Sequence, residues 1–66
     1  MDNKIKEMIT YRLVIPTLEH GMSDRKHQLI LESIVRHFGG AVTAQEVFDE
    51  YDRQFTEALR KEGVIS

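Results

Sequence analysis

The chain has 66 residues, a net charge of −2 at pH 7, 30% charged and 41% hydrophobic residues, and no cysteine. That length admits one domain, and the composition is that of a folded globular chain rather than a disordered one. Disulfides and thiolate zinc sites are excluded, so a core this small depends on regular helix packing or on self-association.

The pattern predicts a single all-α domain over 1–66, with three helices of which the C-terminal one is longest. Met1 to Glu7 lacks the apolar core of a signal peptide. Leu13-Val14-Ile15 is far short of the roughly 20 apolar residues a membrane span needs. A cytoplasmic protein without membrane contact is expected.

The first helix is predicted over 3–18. Asp2 or Asn3 caps it, and Ile5, Met8, Ile9 and Leu13 recur at helical spacing. Pro16 lacks an amide donor and disfavours the helical region for Ile15, so the helix ends or kinks near Val14. A short strand over Thr10–Ile15 is the minor alternative, because the segment is rich in β-formers. Leu13, Val14 and Ile15 cannot all face inward from one regular helix, which suggests apolar surface in excess of the core.

After the turn Glu19-His20-Gly21-Met22, Ser23 caps a second helix predicted over 24–38. Ile30, Ile34 and Phe38 are spaced by four, Leu31 and Val35 widen the stripe, and His27 and Leu29 flank it. Gly39-Gly40 ends the helix, since glycine accepts the left-handed conformation found there. Arg25, Lys26 and His27 in the first turn oppose the helix dipole. Either an acid elsewhere in the fold offsets them or they face a partner.

Thr43-Ala44-Gln45-Glu46 is a capping box, with Val42 and Val47 in the positions of a hydrophobic staple. It opens a third helix predicted over 44–62, stopped by Gly63, after which Val64-Ile65-Ser66 folds back on the core. Its apolar stripe includes Val47, Phe48, Tyr51, Phe55 and Leu59. Acids crowd its first half, and Arg60 and Lys61 close it, matching the dipole.

Metal ligation is not expected, because the three histidines form no His-x-x-x-His pair and no Glu-x-x-His motif occurs. The acids of the third helix lack the alternation and glycine of a calcium loop. No nucleophile–base pair or glycine-rich phosphate loop is present, so neither an enzyme nor a cofactor is predicted. Phe48, Tyr51, Phe55 and Leu59 are the candidate packing or dimerisation residues, with Asp49, Glu50, Asp52 and Arg53 as a polar rim. Exposed stripes of this kind mark interfaces, and twofold dimers are their commonest form.

Leu31-Glu32-Ser33-Ile34-Val35, then Gly40-Ala41-Val42-Thr43-Ala44-Gln45-Glu46-Val47, then Ala58-Leu59-Arg60-Lys61-Glu62-Gly63-Val64-Ile65-Ser66, resemble pieces of a winged-helix DNA-binding domain. The resemblance spans Leu29 to Ser66 and implies a helix-turn-helix. Phe48 to Leu59, however, carries no glycine or proline for the turn between its helices, and no wing follows.

Two functional expectations result. The first is a small regulatory or adaptor protein that binds another protein through helix faces, as a homodimer. The second is a DNA-associated transcriptional regulator with a degenerate helix-turn-helix-like region, touching nucleic acid through Arg25, Lys26, Arg36 and His37, with Lys4, Lys6 and Arg12 beside them. A purely structural oligomer is the weakest reading.

Overall fold

Three helices and no strand make up the described residues, 1–62, of the computed structural model. The expected three-helix all-α fold with a long last helix is what the chain adopts. Gly63 and the Val64–Ser66 tail lie outside the described residues.

Helix α1 covers 3–20 as three consecutive runs: α-helical Asn3–Ile9, a π turn over Thr10–Val14, and α-helical Ile15–His20. The Asp2 carboxylate caps it by accepting from the Lys4 amide at 2.8 Å. The helix neither stops at Val14 nor forms a strand. It widens, and the Ile15 amide donates to the Thr10 carbonyl five residues back. Pro16 supplies the reason. It has no N–H for the Arg12 carbonyl, and its ring would clash with that carbonyl in a regular turn. The Thr17 hydroxyl donates to the Leu13 carbonyl at 2.6 Å, which satisfies one acceptor beside the disrupted ladder.

The wide turn also changes which residues face inward. Ile5 and Ile9 are buried, as a four-residue step requires, and then Leu13 and Val14 are buried together. In a regular helix Val14 would be turned well away from Ile9; the five-residue step returns it to the same face. Ile15 is half-buried. The excess expected from Leu13-Val14-Ile15 is therefore mostly absorbed by the core.

Helix α2 (Asp24–His37) starts at Ser23, whose hydroxyl accepts from the Lys26 amide at 3.2 Å. It ends at His37, one residue short of the predicted 24–38, with Phe38 as its C-cap, and Gly39 and Gly40 follow with φ of 54° and 87°. Two successive left-handed residues reverse the chain cheaply only as glycines. Helix α3 (Ala44–Lys61) begins at the capping box: the Thr43 hydroxyl accepts from the Glu46 amide at 3.2 Å, and the Thr43 amide donates to the Glu46 carboxylate at 3.0 Å. Val42 and Val47, the staple positions, are both buried.

The core is wholly aliphatic: Ile5, Ile9, Leu13 and Val14 from α1, Leu31 and Ile34 from α2, and Val42 and Val47 from the start of α3. Helices α2 and α3 return on one another through the short turn, with His27 beside Tyr51, and α1 packs across one side of that pair. Ile34→Ala removes a fully buried side chain and is expected to cost about 2–5 kcal/mol, whereas Thr43→Ala, which breaks only the cap, costs ~1 kcal/mol. Urea unfolding followed by circular dichroism should rank the two in that order; equal midpoints would contradict this account of the core.

Candidate interaction face

The α2–α3 pair has two sides. One carries Leu31, Ile34 and Val47 and is covered by α1. On the other side, the α2–α3 seam opens as a shallow groove of about 350 Å³ floored by Leu31 and Phe48 and edged by Asp24, His27, Gln28 and Gln45. Phe48 is 43% exposed and Leu29, on the outer edge of α2, is 55% exposed.

Of the four aromatic and aliphatic candidates on α3, none is fully buried. Phe48 is exposed, while Tyr51, Phe55 and Leu59 are half-buried. The rings form a run along the helix, Phe48 to Tyr51 at 6.3 Å between centroids and Tyr51 to Phe55 at 5.6 Å. Spacings of three and four residues place them on one face. Tyr51 is the link to the core, and His27 meets it edge-on at 4.3 Å.

His27 is the one buried polar group without a partner among the described residues: its Nε2 is enclosed and makes no hydrogen bond. Burial therefore pushes its pKa below the usual imidazole value, and the nearby Asp24 carboxylate opposes that shift. The ring behaves as a neutral aromatic spacer between α2 and α3.

The four polar candidates separate into two groups. Asp49 and Asp52 are exposed; Asp49 accepts from the Gln45 side chain at 2.9 Å, and neither lies in an ion pair among the described residues. Glu50 belongs instead to a seam with α1, and Arg53 stays exposed and pairs with it along α3. Arg53 donates to Glu50 at 2.6 and 3.1 Å and to Glu57 at 3.0 Å. Gln54 donates to Glu50 at 2.7 Å and to the Lys6 carbonyl at 3.3 Å. The Thr10 hydroxyl is within hydrogen-bonding reach of both that carbonyl and the Gln54 side-chain oxygen. The Arg53 hydrogen bond, ahead of the other contributions, holds the Glu50 carboxyl below its usual pKa. Glu50 is thereby a structural anchor, and Gln54, which sequence periodicity alone did not single out, is its hinge to α1.

Arg25, Lys26, Arg36 and His37 are all exposed on α2, away from the core. Among the described residues no acid lies within 4.0 Å of any of them. The fold therefore offers no salt bridge to offset Arg25 and Lys26 at the dipole-opposed end of α2. The helix α3 runs unbroken from Ala44 to Lys61, so the turn of a helix-turn-helix is absent from it and the winged-helix likeness stops at the Thr43 cap.

No group of three or more His, Cys, Asp or Glu among the described residues is arranged to hold a metal ion. None of the helices among them is long and apolar enough to cross a membrane. Compared with protein-family models, curated proteins and solved structures, the chain matches none.

The enclosed His27 makes stability depend on pH. Its pKa is lower in the folded chain than in the unfolded one, so protons favour unfolding. The stability is complete above about pH 6.5 and declines as pH falls through that value toward the lower folded one. Unfolding midpoints measured at pH 7.5 and 5.5 should show this loss, and His27→Phe should flatten it; an undiminished slope in the variant would mean that another group is responsible.

Proposed function

We propose that this chain is a small regulatory or adaptor protein that works by binding another protein through the open α2–α3 face, as a homodimer, in the cytoplasm, and without catalysis. The observation that carries this reading is the exposed Phe48, continuous with Tyr51 and Phe55 and flooring an open groove together with Leu31. The core among the described residues has eight aliphatic side chains, which is small, and covering such a face adds buried apolar area. Large exposed aromatic and aliphatic side chains clustered on one side are the ordinary raw material of a helix-binding surface. The cysteine-free composition suits a reducing compartment.

A second reading rests on a different observation. Arg25, Lys26, Arg36 and His37 share the exposed side of one helix, over a length of ~18 Å at 1.5 Å per residue. That row can lie along a nucleic-acid backbone, and such binding would fall steeply with added salt. Glu32 within the row, and the net charge of −2, work against it.

A tagged pull-down from the source cell, with and without nuclease, separates the two. A stoichiometric protein that survives nuclease and is lost with Phe48→Asp is the expected result. The same substitution should change the unfolding free energy by no more than about 0.5 kcal/mol, because the ring is already substantially exposed. Recovery that requires nucleic acid and is indifferent to Phe48 would favour the DNA-associated reading.

A further inference from the structure

We infer that the open α2–α3 face takes an amphipathic helix of a different protein, with apolar side chains over Leu31 and Phe48 and an arginine or lysine at Asp24. This rests on the proposal that the face is a protein-binding surface, and it names the chemistry of the partner.

The lining of the groove is acidic. Asp24 is its one carboxylate, and neither lysine nor arginine lines it among the described residues. The Asp24 side chain is exposed and has no cation within 4.0 Å among those residues. His27 is the other ionisable group of the lining, and its enclosed ring favours the neutral form, so the groove holds no positive charge of its own.

The two amides of the lining add acceptors. Gln28 Nε2 donates to Glu32 at 3.4 Å, and Gln45 Nε2 donates to Asp49 at 2.9 Å. An ionised carboxylate can only accept, so each amide is fixed with its nitrogen toward the acid, and its oxygen is left to accept from a partner. The same bonds hold two further carboxylates beside the groove. Arg25 and Lys26 do not cancel this charge. They are turned about 100° and 200° around α2 from Asp24, off the face that Asp24, His27, Gln28 and Leu31 share. The full negative charge of Asp24 also outweighs the roughly half positive charge of the helix end on which it sits.

The shape suits a helix. Leu31 and Phe48 form an apolar floor between two packed helices, and α1 already lies across the opposite side of the same pair. A helix laid in such a groove is held by apolar anchors, and its flanking charges set which partner fits. Asp24 and Leu31 are separated by about 10 Å along α2 at 1.5 Å per residue. A partner helix aligned with α2 therefore carries its basic residue about two turns from its apolar anchors.

Selection from a displayed library of random peptides on the immobilised full chain tests this, followed by calorimetric titration of the selected peptides as synthetic helices. The expected peptides carry arginine or lysine about two turns from a large apolar residue. Asp24→Asn should weaken their binding about fivefold, and Asp24→Lys and Phe48→Ala about tenfold or more. Ser23 makes the cap of α2 and is untouched by these changes, and circular dichroism should confirm that the variants stay folded. Peptides that need Phe48 but carry no cation, or that ignore both Asp24 substitutions, would overturn the basic side chain while leaving the face as a protein-binding surface. Peptides indifferent to Phe48→Ala, or a selection that enriches nothing, would overturn both. Self-association in ultracentrifugation that is lost with Asp24→Lys and with Phe48→Ala would place a second copy in the groove and overturn the foreign helix.

Discussion

The fold depends on how α1 gets past Pro16. A proline inside a helix removes one amide and crowds the carbonyl four residues earlier. Here the chain answers with a π turn over Thr10–Val14 rather than a break, and the helix continues to His20. The extra residue in that turn lets Leu13 and Val14 enter the core together below Ile5 and Ile9. Four of the eight core side chains thus come from α1. Had the helix ended at Val14, Thr17 would have had no helical carbonyl to cap, and the last turn of α1 would have had no fixed direction.

The polar seam between α1 and α3 is built on the same turn. Thr10, the first residue of the π run, faces Gln54, which in turn holds Glu50 and the Lys6 carbonyl. Aliphatic packing alone is tolerant of sliding, whereas hydrogen bonds with defined partners are not. The seam therefore sets the register of α3 on α1. It also draws Glu50 out of the exposed rim, while Arg53 stays exposed and pairs along α3 with Glu50 and Glu57.

That division of labour explains why one side of the α2–α3 layer carries chemistry and the other does not. The side under α1 is aliphatic and closed. The other side has an open groove, an exposed phenyl ring, an exposed leucine, and acids and bases that do not meet within the chain. An imidazole with an enclosed, unbonded nitrogen lines the groove and lies edge-on against Tyr51, and burial lowers its pKa.

What was legible from residue order was local. Ser23, Thr43 with Glu46, and the Gly39-Gly40 pair mark helix ends because capping is satisfied within four residues by groups whose geometry the backbone dictates. The aliphatic stripes gave the count and class of the helices by periodicity alone. Pro16 announced a disturbance but not its form: whether a proline stops, kinks or widens a helix depends on whether the residues beyond it gain by burial, and Val14 gains only against α2 and α3. In the same way, four α3 side chains of similar hydropathy separated into degrees of exposure only once α1 had taken one side of the helix. Glu50 and Asp52, alike in sequence context, acquired different roles because Gln54 and Thr10 meet from 44 positions apart. Local hydrogen bonding was therefore determined by the sequence itself; which face was left open was decided by tertiary packing, since exposure is a property of what lies opposite and not of the residue.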